Sequence, residues 1–152
     1  MITIDVLGTP APKGSARAIL VGGFARLIPG GSDANKRALQ KWDTCVRGHA
    51  RIAMTGHALY EDTALAVSIV FYMVRPQNHF GTGKNTEALK LNAPISPTTK
   101  PDIDKLARAT LDSLTGLVWD DDSRIVLLSV TKSYAEPACG RHEGAHIEVG
   151  LG

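Results

Sequence analysis

The chain has 152 residues, 43% of them hydrophobic, which is enough for one domain with a buried core. Its longest apolar run, residues 64–74, is too short for a membrane-spanning helix. The N-terminus lacks a basic segment followed by an apolar one, so we expect no secretory signal. The two cysteines build neither a disulfide framework nor a zinc site. We therefore expect a single domain, residues 1–152, in the cytoplasm.

Charge is distributed unevenly along the chain, although the net charge is only +2. Residues 1–51 hold eight Lys or Arg against three Asp, whereas residues 101–122 hold six Asp against two basic residues. This pattern is typical of an enzyme that acts on a polyanion, because basic groups hold phosphates while carboxylates need a cation before a phosphate can approach. Ordinary surface charge gives the same totals, so charge alone leaves both interpretations open.

The first third of the chain predicts a strand, a hairpin and a helix. Apolar and polar residues alternate over residues 2–6, as in a half-buried strand, and Gly22-Gly23 separates two short apolar runs, as in a hairpin. Ser32 or Asp33 is the expected N-cap of a helix that closes near Gly56. The apolar stripe of that helix recurs at spacings of three and four, in Leu39, Trp42, Val46, Ala50 and Ala53.

The same helix carries basic residues mostly away from its apolar stripe. They are Lys36, Arg37, Lys41, Arg47 and Arg51. A solvated helix face is the ordinary interpretation, and a face that contacts phosphates is the alternative.

The rest of the chain predicts a mixed order of elements. Residues 64–74 are expected to form a central strand, and residues 102–114 a helix with one apolar face. Residues 124–132 and 144–150 are expected to form two further strands. Between the central strand and the second helix, residues 75–101 form a long segment rich in Gly, Pro, Asn, Ser and Thr, which predicts a mobile functional loop. We expect an α+β fold with a single mixed sheet and two main helices.

The six aspartates between residues 101 and 122 are the main functional signal. Asp102 and Asp104 bracket a helix start, where capping alone would explain either one. The apolar connection Thr115–Trp119 can fold back and bring Asp121 or Asp122 beside them. Grouped carboxylates repel one another unless a divalent cation lies between them, and Mg²⁺ prefers such oxygen ligands. For Asp112 we expect a structural role, in an ion-pair ladder with Arg108 and Asp104.

Other metal sites find little support in the sequence. The D-x-D-x-D-G spacing of a calcium loop is absent, and the five histidines show no paired ligand spacing for zinc.

The stretch KPDIDKLARATLDSLTGLVWDDDSRI, residues 100–125, resembles the signature of the RusA family of Holliday junction resolvases, in particular its phage and prophage members. The resemblance extends to the opening LGTPAPKGSAR, although Ser15 and Ala16 stand where the family often has Arg-Pro. It also covers Lys132-Ser-Tyr at the end of the following strand. These segments occur in the order that the family has them.

The resemblance implies roles for particular residues. The metal-binding catalytic aspartates would be Asp102, Asp104 and Asp122, with Asp121 as the alternative third ligand. Arg108 stands where the family has a catalytic lysine, and Lys105 replaces an asparagine of the family pattern, so either could take the basic role. Lys13 and Arg17 would be the basic contacts with DNA. From the long loop of residues 75–101 we also expect Lys84 and Lys90 to bind DNA, together with Lys100.

The resemblance also implies an activity and partners. We expect a Mg²⁺-dependent endodeoxyribonuclease, with Mn²⁺ as a possible substitute, that resolves four-way DNA junctions by paired symmetric nicks during recombination and repair. It would be a homodimer, phage or prophage encoded, in a bacterial host cell. A nuclease for other branched or flap DNA, and a catalytically silent DNA-binding protein, are the alternatives.

Overall fold

The computed structural model describes residues 1–14, 17–28 and 31–152. It confirms the α+β class, with two main helices and one mixed four-stranded sheet. In chain order the elements are β1 (Ile2–Leu7), β2 (Arg17–Val21), β3 (Phe24–Ile28), α1 (Asp33–Ala53), β4 (Leu65–Met73), α2 (Ile103–Leu114), β5 (Ile125–Tyr134) and β6 (Gly144–Leu151). Neither helix combines the length and the apolar composition needed to cross a bilayer, within the residues just given.

The main sheet has the strand order β1-β6-β4-β5. The β4–β5 pair is parallel and the other two pairs are antiparallel, so the connection from β4 to β5 must cross over, and α2 lies in that connection. Side chains alternate along β1 between buried and exposed, as the sequence predicts for a strand with one covered face. The covered face meets both helices, and the core there includes Trp42, Phe71 and Leu106.

The predicted hairpin is present and pairs only with itself. Strands β2 and β3 form a separate two-stranded sheet. Gly22 and Gly23 make the turn at φ of 60° and 83°, a left-handed conformation at two successive positions that glycine adopts without strain.

Ser32 is the N-cap of α1, because its side chain accepts a hydrogen bond from Asn35 N, which decides between the two predicted caps.

The two helices are joined by polar contacts as well as apolar packing. The buried indole Nε1 of Trp42 donates to Thr110 Oγ1 on α2 at 3.1 Å. Arg47 donates to the carbonyl oxygen of Ser113 at 3.1 Å, near the end of α2.

The segment of residues 75–101 contains local structure. Two short 3₁₀ turns occupy Gln77–His79 and Gly83–Asn85, and Phe80 bridges to Leu89. Its end is held against β5, since Lys132 Nζ donates to the carbonyl oxygens of Thr99 and Pro101, both at 2.9 Å. That contact fixes the chain just before Asp102. The mobility of this segment stays a prediction.

Candidate active site

Asp102 occupies the N-cap position of α2 but does not cap the helix with its side chain. Its carboxylate instead accepts a hydrogen bond from Lys105 Nζ at 2.8 Å, on the next turn. This contact lowers the pKa of Asp102, with smaller contributions from Lys100 and Lys132. Capping, the simplest structural explanation of this aspartate, therefore does not account for the position of its carboxylate.

Lys105 is the basic partner within this pair. The hydrogen bond to Asp102 raises the pKa of Lys105, and the charge of Asp104 adds to the effect. A raised pKa keeps the ammonium protonated at neutral pH. Lys105 therefore supplies a fixed positive charge between two carboxylates.

The opening segment of the chain lies against α2. The backbone N–H of Lys13 donates to the carbonyl oxygen of Lys105 at 3.1 Å, and Lys13 Nζ forms an ion pair with Asp112. The expected ladder from Asp104 through Arg108 to Asp112 is wrong for this structure, because the carboxylate of Asp112 pairs with Lys13 from a distant part of the chain. A helical i,i+4 spacing permits an ion pair, but a closer tertiary cation replaces it here.

The three consecutive aspartates after α2 have different partners. Asp120 holds Arg124 through both carboxylate oxygens, at 3.0 and 2.8 Å, and this contact lowers the pKa of Asp120. Asp121 accepts a hydrogen bond from the backbone N–H of Ser123 at 2.8 Å, and contacts to that residue lower its pKa. These two residues therefore stabilise the turn into β5.

Asp122 is positioned by the connection between α2 and β5. Its Oδ1 accepts hydrogen bonds from Trp119 Nε1, at 2.8 Å, and from Thr115 Oγ1. Trp119 is fully buried, and its indole N–H needs an acceptor for that reason. Tyr60 bridges to Trp119 and its backbone N–H donates to the carbonyl oxygen of Val118, so a second segment holds the connection in place.

A cavity of about 460 Å³ between α2 and β5 is lined by both Asp104 and Asp122. Its other lining residues are Ile103, Ala107, Arg108, Leu111, Asp112, Leu128 and Val130. Asp122 contacts Thr115, the C-cap of α2, whereas Asp104 lies in the first turn of that helix, so the cavity extends along α2 between the two carboxylates. That the connection brings them within reach of one cation stays a prediction. Over the described part of the chain, neither Asp104 nor Asp122 has a basic side chain within ion-pair distance.

A smaller cavity of about 220 Å³ adjoins the first, because Asp104 and Arg108 line both. Lys13, Gly14 and Lys105 complete its lining. Three basic side chains thus line the smaller cavity together with Asp104, while Asp122 lines only the larger one. This arrangement of carboxylates beside cations suits a phosphate that reaches the site together with a metal ion.

The donor set fits a hard divalent cation held by two carboxylates. Mg²⁺ commonly takes one or two protein carboxylates and fills its remaining positions with waters and phosphate oxygens. Asp104 and Asp122 line one cavity, and no basic side chain of the described residues lies within 4.0 Å of either carboxylate, so they are the candidate pair. Across residues 1–14, 17–28 and 31–152, no three His, Cys, Asp or Glu side chains gather to hold a metal together. The three-aspartate site stays a prediction, since Asp102 contacts Lys105 in this structure.

Three other predicted DNA-binding residues, Lys84, Lys90 and Lys100, line neither of these cavities. Lys84 lies in an exposed 3₁₀ turn, and Lys90 Nζ donates to the carbonyl oxygen of Asn78 at 2.9 Å. Lys100 is exposed and close enough to Asp102 to lower its pKa. The backbone of Arg17 begins β2, but its side chain lies outside the described residues, as do Ser15 and Ala16.

Several residues that shape the site were not identified from the sequence. Thr115 and Trp119 orient Asp122, Arg124 binds Asp120, and Lys132 anchors the chain before Asp102. One signal was available for Trp119: a tryptophan in an apolar connection, three residues before an aspartate, has an N–H that must find an acceptor when it is buried.

Comparison with known proteins identifies the family of this chain. The family model described as endodeoxyribonuclease RusA matches residues 10–142, which include every predicted site residue. This chain belongs to the RusA endodeoxyribonuclease family. It is also similar to the uncharacterized protein YqaN of Bacillus subtilis (strain 168), with 32% identity over 72 residues. That match covers 47% of this chain and 50% of YqaN, so the chain spans about half the length of this curated relative.

Proposed function

We propose that this RusA-family chain is a Mg²⁺-dependent endodeoxyribonuclease that cuts branched DNA, with the four-way junction as its main substrate. The observation that supports this most is the shared cavity of Asp104 and Asp122, with Lys13, Lys105 and Arg108 beside it. Family membership supports the same chemistry. A phosphodiester entering the smaller cavity would meet three cations on the way to the carboxylates.

Asp104 and Asp122 would hold the metal, and Asp102 would join them if its contact with Lys105 opened. A bound Mg²⁺, or Mn²⁺ in its place, activates a water for attack and stabilises the leaving oxygen of a phosphodiester. Thr115 and Trp119 keep the carboxylate of Asp122 directed into the cavity. Asp121 is a weaker candidate ligand because its carboxylate already accepts the Ser123 N–H.

The basic residues would stabilise charge on the phosphate. Arg108 lines both cavities, whereas Lys105 lines only the smaller one and contacts Asp102. This placement favours Arg108 as the group beside the reacting phosphate. An arginine stays charged throughout, so its role there would be electrostatic and not proton transfer.

Two symmetric cuts in a four-way junction need two active sites, and one chain supplies one acidic cavity. We therefore propose a homodimer whose two sites nick opposite strands. Lys13, Arg17, Lys84, Lys90 and Lys100 would hold the DNA backbone and contribute affinity more than sequence readout. Sedimentation equilibrium of the purified protein should give twice the chain mass; a monomer that makes paired nicks would contradict this assembly.

The experiment that tests the activity uses matched Asp→Asn variants. Asp104→Asn and Asp122→Asn should bind a synthetic four-way junction but reduce its cleavage in Mg²⁺ by several orders of magnitude. Asp120→Asn is the control, because it makes the same chemical change two residues from Asp122 at a side chain that only binds Arg124. Undiminished cleavage by either of the first two variants would remove that residue from the mechanism.

Two alternatives predict different results in the same assay. A nuclease for other branched DNA would cut a flap faster than a four-way junction. The Asp102–Lys105 pair and the Ser123 contact of Asp121 are what a silent DNA-binding protein would also have. Such a protein would show neither cleavage products nor a rise in melting temperature when Mg²⁺ or Mn²⁺ is added.

A further inference from the structure

The first half of α1 carries three exposed cations, Lys36, Arg37 and Lys41, which we call the basic ridge. The whole helix has five Lys or Arg and two Asp. The sequence left two interpretations of such a face, a solvated surface or a phosphate contact. The surroundings of the basic ridge distinguish them.

Cavities flank the basic ridge on both sides. One of about 320 Å³ lies between α1 and α2 and is lined by Lys13 and Lys36. The other, of about 570 Å³, is lined by Arg37 and Lys41 and by Gly8 of the opening segment. The opening segment therefore contributes to the cavities on both flanks of α1.

The basic ridge is continuous with the candidate active site through Lys13. Lys13 borders the cavity beside Lys36 and also the small cavity that contains Asp104 and Arg108. Its backbone hydrogen bond to Lys105 fixes this position between the two helices. Basic side chains thus follow one another from the cavity of Asp104 to the N-terminal half of α1, although Asp43 and Asp112 also line the cavity beside Lys36 and Asp112 pairs with Lys13.

The charges of the basic ridge are poorly compensated. Of the described carboxylates, none lies within 4.0 Å of Arg37 or Lys41, and the pair of Lys36 with Asp33 is exposed at 3.3 Å. Arg37 and Lys41 stand four residues apart on one helix, a spacing at which like charges destabilise the helix. Arg47, in contrast, contacts the end of α2. Arg47 therefore joins the two helices. The cations of the basic ridge repel one another, and a bound polyanion would relieve that repulsion.

We propose that the basic ridge binds the phosphates of a DNA duplex arm that leads away from the cleaved strand. This inference rests on the proposed nuclease function. Lys36 and Arg37 are adjacent and Lys41 lies one turn further on, so the basic ridge is a compact cluster of cations. Double-stranded DNA carries about one negative charge per 1.7 Å of its axis, twice the charge density of one strand, which favours duplex over single-stranded DNA at such a cluster.

The test measures how the junction affinity depends on salt, in the absence of divalent ions so that no cleavage occurs. Arg37→Gln should reduce the slope of log K against log [salt] by about 0.9, the value for one lost phosphate contact. Arg51→Gln is the matched control, since it removes the same group from an exposed position at the other end of α1. Arg37→Lys should restore most of the slope, because it keeps the charge.

The outcomes separate this proposal from the nuclease activity. Equal salt slopes for Arg37→Gln and Arg51→Gln would overturn the proposal that the basic ridge binds DNA. The cleavage results for Asp104→Asn and Asp122→Asn would still stand. An equal loss of affinity for a single-stranded oligonucleotide and for a duplex would overturn the duplex assignment. A chain that binds no DNA at all would overturn both the basic ridge and the proposed function. Circular dichroism melts confirm that each variant is folded.

Discussion

At the scale of single residues, three identical side chains in a row take three different roles. Asp120 binds an arginine, Asp121 accepts a backbone N–H, and Asp122 is turned toward a cavity by an indole and a hydroxyl. The sequence predicted that an aspartate of this turn would meet Asp104, since an apolar connection can fold back. It could not determine the partners of each, because they depend on backbone angles that composition does not encode.

Thr115 offers a test of how Asp122 is oriented. Thr115→Val keeps the shape but removes the hydroxyl that contacts Asp122, and a hydrogen bond to a charged group contributes about 1.5 kcal/mol. Because that energy corresponds to roughly tenfold in rate, cleavage at limiting Mg²⁺ should fall about tenfold. Thr115→Ser, which keeps the hydroxyl, should cut like the unchanged protein. Full activity of the valine variant would show that Thr115 does not position Asp122.

At the scale of elements, local patterns predicted both helices and the four main strands. Periodicity and capping are properties of neighbouring residues, and these agree with the structure from Ser32 to the end of α2. The contact of Lys13 with Asp112 was missed because it joins residues 99 positions apart. A local i,i+4 rule pointed instead to Arg108. Ion pairs on an exposed helix are weak enough for a tertiary partner to replace them.

The junction of the two helices predicts a stability effect at Thr110. Thr110→Val leaves the buried indole N–H of Trp42 without its acceptor, which costs about 1–3 kcal/mol. Urea unfolding should show a lower midpoint with an unchanged slope. Thr110→Ser should lose much less stability than Thr110→Val, since it keeps the acceptor oxygen. Equal stability of the valine variant and the unchanged protein would mean that this hydrogen bond contributes nothing.

The β1–β6 pair contains a contact that depends on pH. His146 lies opposite Asp5, and its Nδ1 contacts the carboxylate at 2.6 Å, which raises the pKa of His146, with Glu148 adding to the effect. A histidine pKa that is higher in the folded state than in the unfolded one stabilises the fold at acid pH. The contribution is complete below the unfolded pKa, about 6.5, and disappears as the pH rises through the folded value.

Asp5→Asn should therefore destabilise the protein more in acid than in alkali. We expect a loss of about 0.5–1 kcal/mol in the free energy of unfolding near pH 5.5 and a smaller loss near pH 8.5. Urea unfolding at the two pH values measures it. His146→Gln in the same background should add little further loss at acid pH. A loss independent of pH would assign Asp5 another role.

At the scale of the whole molecule, α2 belongs to the crossover between two parallel strands, so the end of α2 lies beside the entry to β5, where Asp122 contacts Thr115. The sequence predicted the elements, while the nearness of Asp122 to Asp104 stays a prediction. It did not predict that Asp102 would pair with Lys105, which depends on the rotamers of two exposed side chains. The opening segment reaches the site only through the tertiary fold, so its residues were assigned to DNA binding by resemblance alone.

The central claim is that Asp104 and Asp122 share one divalent cation. Titration of the purified protein with Mn²⁺, followed by electron paramagnetic resonance, counts bound ions and compares variants directly. We predict binding by the unchanged protein and by Asp120→Asn, and strongly weakened binding by Asp104→Asn and by Asp122→Asn alike. Mn²⁺ binding that survives in either of the last two variants with unchanged affinity would contradict the account.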